Sequence, residues 1–145
     1  MDMLRRGQFL RNPLLAALSL LACLPVERGY ADSTHPISHE YEACAAHANG
    51  VTAEMRRCAN QELQRQEDRL NRALLMIRSS ARISVRRKHE LESKQKKWEA
   101  SRNKGCMAEA QREAGGGSTA PLIAMNCAVS KTAERADQLE AIARE

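Results

Sequence analysis

Aromatic side chains are almost missing from this sequence: its 145 residues hold one Trp, one Phe and two Tyr. That excludes a core built on aromatic packing. It also argues against the stacked platforms that grip single-stranded nucleic acid. Helix breakers are equally scarce in the middle of the chain. Between Thr52 and Ala114 there is no Pro and a single Gly, Gly105. β-branched residues are few and no segment alternates polar with apolar, which argues against sheet. The cysteines carry no C-x₂₋₄-C pair, the usual spacing of a zinc set, so no metal is expected. The "GGGS" at 115–118 lacks both the Lys and the preceding strand of a phosphate loop.

What is present is a helix-forming composition. From Thr52 onward the chain is rich in Ala, Glu, Lys, Arg, Gln and Leu. The predicted fold is all-α: a small antiparallel bundle of three main helices plus a short N-terminal one. The short helix covers about 39–48 and stops at Asn49-Gly50. The next starts at Thr52, whose side chain can cap it, with Glu54 at the positive end of the dipole. Its apolar stripe is Met55, Ala59, Leu63, Leu70, Leu74 and Ile77, on one face. A third helix starts near Ser84 with the stripe Val85, Lys88, Leu91, Gln95, Trp98, Arg102 and Cys106. Residues 114–121, "AGGGSTAP", form a loop. The last helix carries Val129, Thr132, Ala136, Leu139 and Ala143 on one face.

The start of the chain is of a different kind. Arg5, Arg6 and Arg11 precede an apolar run from Leu14 to Leu24. Eleven residues are too few to span a bilayer of about 30 Å but suit the core of a signal peptide. Cleavage after Ala31 is favoured, leaving 32–145 as a single domain. The competing site, "LLAC" at 20–23, would make Cys23 a lipidated terminus after removal of 1–22. Either way the odd fifth cysteine is discarded or capped. The four that remain, Cys44, Cys58, Cys106 and Cys127, suggest a disulfide framework in an exported chain. Four cysteines allow three connectivities. Proximity along the chain favours Cys44–Cys58 and Cys106–Cys127, each closing a loop worth about 3 kcal/mol. Cleavage after Ala31 lowers the formal charge from +5 to +3.

The sole Trp lies on the mixed stripe of the third helix, between Gln95 and Arg102. A buried Gln or Arg must be paired or hydrogen-bonded. The previous helix offers Asp68 and Asn71, so the favoured arrangement is an Arg102–Asp68 pair covered by Trp98, near Leu70 or Leu74. The alternative is Arg102 reaching solvent along the indole.

These residues form a pattern. "CAAHANGVTAEMRRC" (44–58) places two cysteines 14 apart around a Thr-x-Glu. "QEDRLN" (66–71) holds Asp68, Leu70 and Asn71. "QKKWEASRNKGC" (95–106) reads Q-x-x-W-x-x-x-R-x-x-x-C, and "CAVSKTAERADQLE" (127–140) a Cys followed by Thr-x-x-Arg-x-x-x-Leu. In this order they resemble the LprI-like lysozyme-inhibitor family, small exported bacterial helical proteins, over about 41–141. The resemblance implies a helical domain with two disulfides, 44–58 and 106–127, in the periplasm or on the cell envelope. It also implies a role in resisting lysozyme. The shared elements are structural: cysteines as staples, and Trp98, Arg102 and Asp68 in the core. No inhibitory residue is carried over.

Catalytic chemistry finds little support. His35, His39, His47 and His89 face no obvious nucleophile, and Glu67-Asp68 and Glu90/Glu92 suit solvated helix faces. No cofactor and no enzymatic activity are expected. Arg78, Arg82, Arg86, Arg87 and Lys88, extended by Lys94, Lys96 and Lys97, form a basic run. Export argues against nucleic acid as its partner. The run is either a solvated corner or a contact with anionic envelope material. The partners in view are thus lysozyme, or an envelope component bound by a module without lysozyme activity.

Overall fold

A computed structural model describes residues 37–145. The predicted leader at 1–31, Cys23 and His35 lie outside the described residues.

Four α-helices follow one another, with no strand among the described residues: α1 (His39–His47), α2 (Thr52–Ser79), α3 (Val85–Ala114) and α4 (Ala120–Arg144). Their ends follow local chemistry. Ser38 caps α1, its hydroxyl accepting from the Tyr41 N–H. Ser84 caps α3 in the same way toward Arg87. Thr52 is not the cap of α2: Val51 holds that position with no side-chain bond, and Thr52 is the first helical residue. The link from α3 to α4 is shorter than 114–121. Ala114 ends α3, Gly115 and Gly116 take positive φ (52° and 81°), and Pro121 already lies in the first turn of α4. Gly117 brings its N–H to the Ala114 carbonyl at 2.7 Å, where a side chain would be crowded. Three glycines in a row thus reverse the chain in five residues.

Successive long helices run antiparallel, as the Arg78–Glu92 and Glu67–Arg102 pairs and the Cys106–Cys127 and Gln95–Arg135 pairs show, and α4 packs along both α2 and α3 while α1 packs on α2. The buried faces are those of the periodicity in outline. Ala59, Leu70, Leu74 and Ile77 of α2 are buried, with Met55 and Leu63 only partly covered. In α3, Leu91, Gln95 and Cys106 are buried, but Val85 is 69% exposed. As the first residue of its helix it extends past the end of the core. Val129, Thr132, Ala136 and Leu139 of α4 are buried, as expected.

The interior has two unlike halves. Toward the α2–α3 link it is aliphatic: Leu70, Ala73, Leu74, Ile77, Leu91, Ala136 and Leu139, with Ile83, Trp98 and Ile142 packed against them. Toward the α3–α4 link it holds Ala59, Glu62, Gln66, Thr132 and Ala133. Small and polar side chains bury little apolar area, and this is the half that carries both disulfides. Cys44–Cys58 ties α1 to α2 and Cys106–Cys127 ties α3 to α4, with Cα–Cα distances of 5.7 and 5.5 Å. The predicted pairing is the observed one. None of the described helices is long and apolar enough to cross a membrane.

Candidate functional site

Trp98 stands where grooves on its two sides meet. It is partly exposed rather than buried. The Arg102 guanidinium lies 5.3 Å from its ring centroid and that of Arg135 lies 5.9 Å away. One groove, between α3 and α4, is lined by Trp98, Ser101, Arg102, Lys131, Glu134 and Arg135. The other, between α2 and α3, is lined by Glu67, Leu70, Asn71, Trp98 and Arg102. Aromatic and arginine side chains in a shared groove are the composition of recognition surfaces.

Arg102 is held by α4 and α2 through Thr132 and Glu67, and not by Asp68, while Arg135 of α4 reaches Gln95 of α3. Arg102 donates to Thr132 Oγ1 at 2.8 Å and to Glu67 Oε1 at 3.4 Å. Asp68 is exposed. One residue turns a helix by about 100°, so Glu67 faces α3 where Asp68 faces water. Asn71 is likewise exposed and lines only the groove wall, outside the core. Thr132 passes the chain on, donating to the Ala128 carbonyl at 2.6 Å. Gln95 is buried as expected, and both ends of its amide are used. Its oxygen accepts from Arg135 Nε at 3.0 Å and its nitrogen donates to Glu99 at 3.2 Å. Burial pushes the Arg135 guanidinium below the usual arginine range. Leu70 is buried in the core.

A second polar seam was not visible as a stripe. Glu62 is fully buried on α2. It accepts from the Ser38 N–H at 3.0 Å, the Ser38 hydroxyl, Gln66 at 2.6 Å and Arg65 at 2.8 Å. Burial alone would raise its pKa, but the bonds from Ser38, Gln66 and Arg65 together hold it below the usual carboxylate range. Tyr41 donates to Asn126 at 3.0 Å, joining α1 to α4. Burial, and then the Glu62 charge, push the Tyr41 phenol up. Arg69 spans α2 to α4 through Asp137 at 2.6 Å and Glu140 at 2.9 Å. Its burial is outweighed by these bonds, so its pKa is raised. The available signal for Glu62 and Gln66 was the 62-66-70-73-77 spacing, which continues the apolar face with polar residues.

At the disulfide end a third groove runs beside Cys127, lined by Glu109, Glu113, Asn126, Ser130, Lys131 and Glu134. The exposed 115–119 turn adjoins it. At the opposite end, residues 69–98 hold ten Arg and Lys against two Glu. The charge of the described residues is therefore strongly uneven along the bundle. No group of three or more His, Cys, Asp or Glu side chains converges as a metal set among the described residues.

The architecture defines a class: a small, disulfide-stapled helical module with polar grooves between its helices. The family model described as lysozyme inhibitor LprI matches residues 44–139, about two thirds of the chain and all four bridged cysteines. The chain belongs to the LprI family. No curated protein and no solved structure shows significant similarity to it.

Proposed function

We propose that this protein is an exported, non-enzymatic inhibitor of lysozyme acting at the bacterial cell envelope. Family membership over residues 44–139 is the observation that carries this reading. Two disulfides support export, because such bonds persist in oxidising compartments. The apolar run at 14–24 supplies a leader of suitable length.

Net charge gives no steering toward a basic enzyme, since the exported chain is itself basic. A local surface must serve. The 115–119 turn, fixed at its base by Cys106–Cys127, presents a preorganised projection that loses little entropy on binding. The adjoining groove carries Glu109, Glu113 and Glu134 against Lys131, a net acidic lining offered to a basic partner.

The test is lysis of bacterial cells by lysozyme with the purified exported protein added. Protection near equal molar amounts supports inhibition. Full lysis at a large molar excess overturns it. The second reading is then an envelope-interaction module without lysozyme activity, which the basic corner at the α2–α3 link favours.

A further inference from the structure

The α2–α3 link carries a combination of groups that the bundle does not need. From Arg69 to His89, both included, there are seven Arg or Lys and no Asp or Glu. Some of this charge is compensated. Arg69 meets Asp137 and Glu140, Arg78 meets Glu92 at 2.9 Å, and Arg86 meets Glu90 at 3.1 Å. Arg72, Arg87, Lys88, Lys94, Lys96 and Lys97 have no ion-pair partner among the described residues.

Their placement runs against local stability. Arg86, Arg87 and Lys88 occupy the first turn of α3, and no acid stands there. The amino-terminal end of a helix is its positive end, where carboxylates stabilise and cations repel. The Ser84 cap and the exposed Arg86–Glu90 pair one turn on compensate this only in part, leaving Arg87 and Lys88 without an ion-pair partner. A departure of this kind from what the helix itself favours marks a surface shaped for something else.

Apolar side chains are exposed at the same end. Leu75 is 60%, Met76 55% and Val85 69% exposed. Leu75 and Met76 lie in the last turns of α2 and Val85 opens α3, across a link of only five residues. Three of the five large hydrophobics left exposed in the described chain are therefore gathered at one tip. The tip is anchored rather than loose, since Arg82 donates to the Glu145 carbonyl at 3.3 Å.

Unpaired cations on the helices that carry exposed aliphatic side chains are the complement of an anionic bilayer: headgroups take the charge and the acyl boundary takes the apolar groups. We infer that the α2–α3 tip is a docking surface for anionic phospholipid membrane. The geometry also leaves the 115–119 turn at the opposite end of α3, directed away from the bilayer when the tip is docked. The inference stands apart from lysozyme inhibition, which uses neither the tip nor a membrane.

The experiment is co-sedimentation of the full chain with vesicles of phosphatidylcholine alone or with about 30% phosphatidylglycerol, a typical anionic surface. Neutral vesicles report the apolar contribution of the 14–24 segment, and comparison among variants, all of which keep Arg5, Arg6 and Arg11, removes that of its basic flank. The expected result is preference for the anionic vesicles, lost in about 1 M salt, where the screening length falls to about 3 Å. The Arg87→Glu, Lys94→Glu variant reverses two exposed charges seven residues apart on one face. Each basic group at such a surface contributes about fivefold, so the variant should bind at least about tenfold more weakly. Arg87→Glu favours the start of α3, and a thermal melt separates loss of binding from any loss of folding. Val85→Ser should weaken binding severalfold, and Arg56→Glu, at the far end of α2, should leave it unchanged. Equal binding to both vesicles, or equal loss from Arg56→Glu and the double reversal, overturns the inference. Lysozyme protection measured on the same variants reports separately on the proposed function.

Discussion

Replacing Glu62 with Gln separates what a buried charge contributes from what its shape contributes. The two carboxylate oxygens divide their work. Oε1 accepts from the Ser38 N–H and from Gln66, while Oε2 accepts from the Ser38 hydroxyl and from Arg65. A Gln amide keeps the first pair on its oxygen. Its NH₂ group then faces Arg65 Nε, a donor against a donor. The Ser38 hydroxyl can rotate to accept, and the Arg65 side chain, 40% exposed, can turn to water. The net loss is one charge-assisted bond and the placement of Arg65, about 2 kcal/mol. For a domain of this size that lowers the melting midpoint by about 10 °C.

The pH dependence fixes the cause. Because the folded pKa lies below the ordinary glutamate value, the charge contributes stability that is fully present above the unfolded pKa of about 4.3. That contribution is lost as pH falls through the folded pKa. The gap between wild type and Glu62→Gln should thus be constant from pH 7 to about 5 and shrink as pH drops further, because both side chains are then neutral. Thermal melts followed by circular dichroism from pH 7 to 2.5 measure it. A gap that persists unchanged at pH 2.5, or its absence at pH 7, refutes the reasoning.

Other expectations follow from the same packing. Trp98→Ala should cost about 2–3 kcal/mol in urea unfolding, less than a fully buried Trp because its edge already reaches solvent; an unchanged midpoint would make Trp98 a surface residue only. Arg102→Ala should cost about 2 kcal/mol through lost bonds to Thr132 and Glu67, while Asp68→Ala stays within about 0.5 kcal/mol. The reverse order of these two in the same denaturation series would restore the Asp68 pairing. Removing the Cys106–Cys127 bridge by paired Ala substitution should cost about 3 kcal/mol, read as a lower denaturation midpoint. Non-reducing peptide mapping of the wild type should yield 44–58 and 106–127 and no peptide joining Cys58 to Cys106.

Much of the fold was legible because it rests on local rules. Ser84 announced the start of α3, Asn49-Gly50 the end of α1, and the Val129-Thr132-Ala136-Leu139 spacing the inner face of α4. The cysteines paired with their nearest neighbours because each joins helices linked by a short turn. What failed depended on rotation and on partners far along the chain. Choosing Asp68 over Glu67 is an error of one position, and no local signal says which of two adjacent acids faces α3. Thr132 and Gln95 became ligands of arginines only once α4 had settled between α2 and α3. Glu62 and Gln66 escaped because a stripe is sought among apolar residues, and here the inner face of α2 turns polar halfway along. The grooves around Trp98, and the exposure of Val85, are likewise properties of packed helices and not of any one segment.

The first helix has an unusual kind of attachment. No side chain of α1 is fully buried. A covalent bond from Cys44 to Cys58, the Ser38 bonds to Glu62 and the Tyr41 bond to Asn126 hold it in place. At nine residues it is shorter than the roughly 12–15 that an isolated helix needs in water. Reducing one bond therefore leaves α1 held only by the Ser38 and Tyr41 bonds and its packing on α2, while the aliphatic half of the core is left intact. Residues 38–48 should thus open more readily than the rest of the bundle once that bond is reduced. Reductant should therefore expose this first arm to proteases before it reaches the bundle, and an oxidising medium should keep the arm clasped shut.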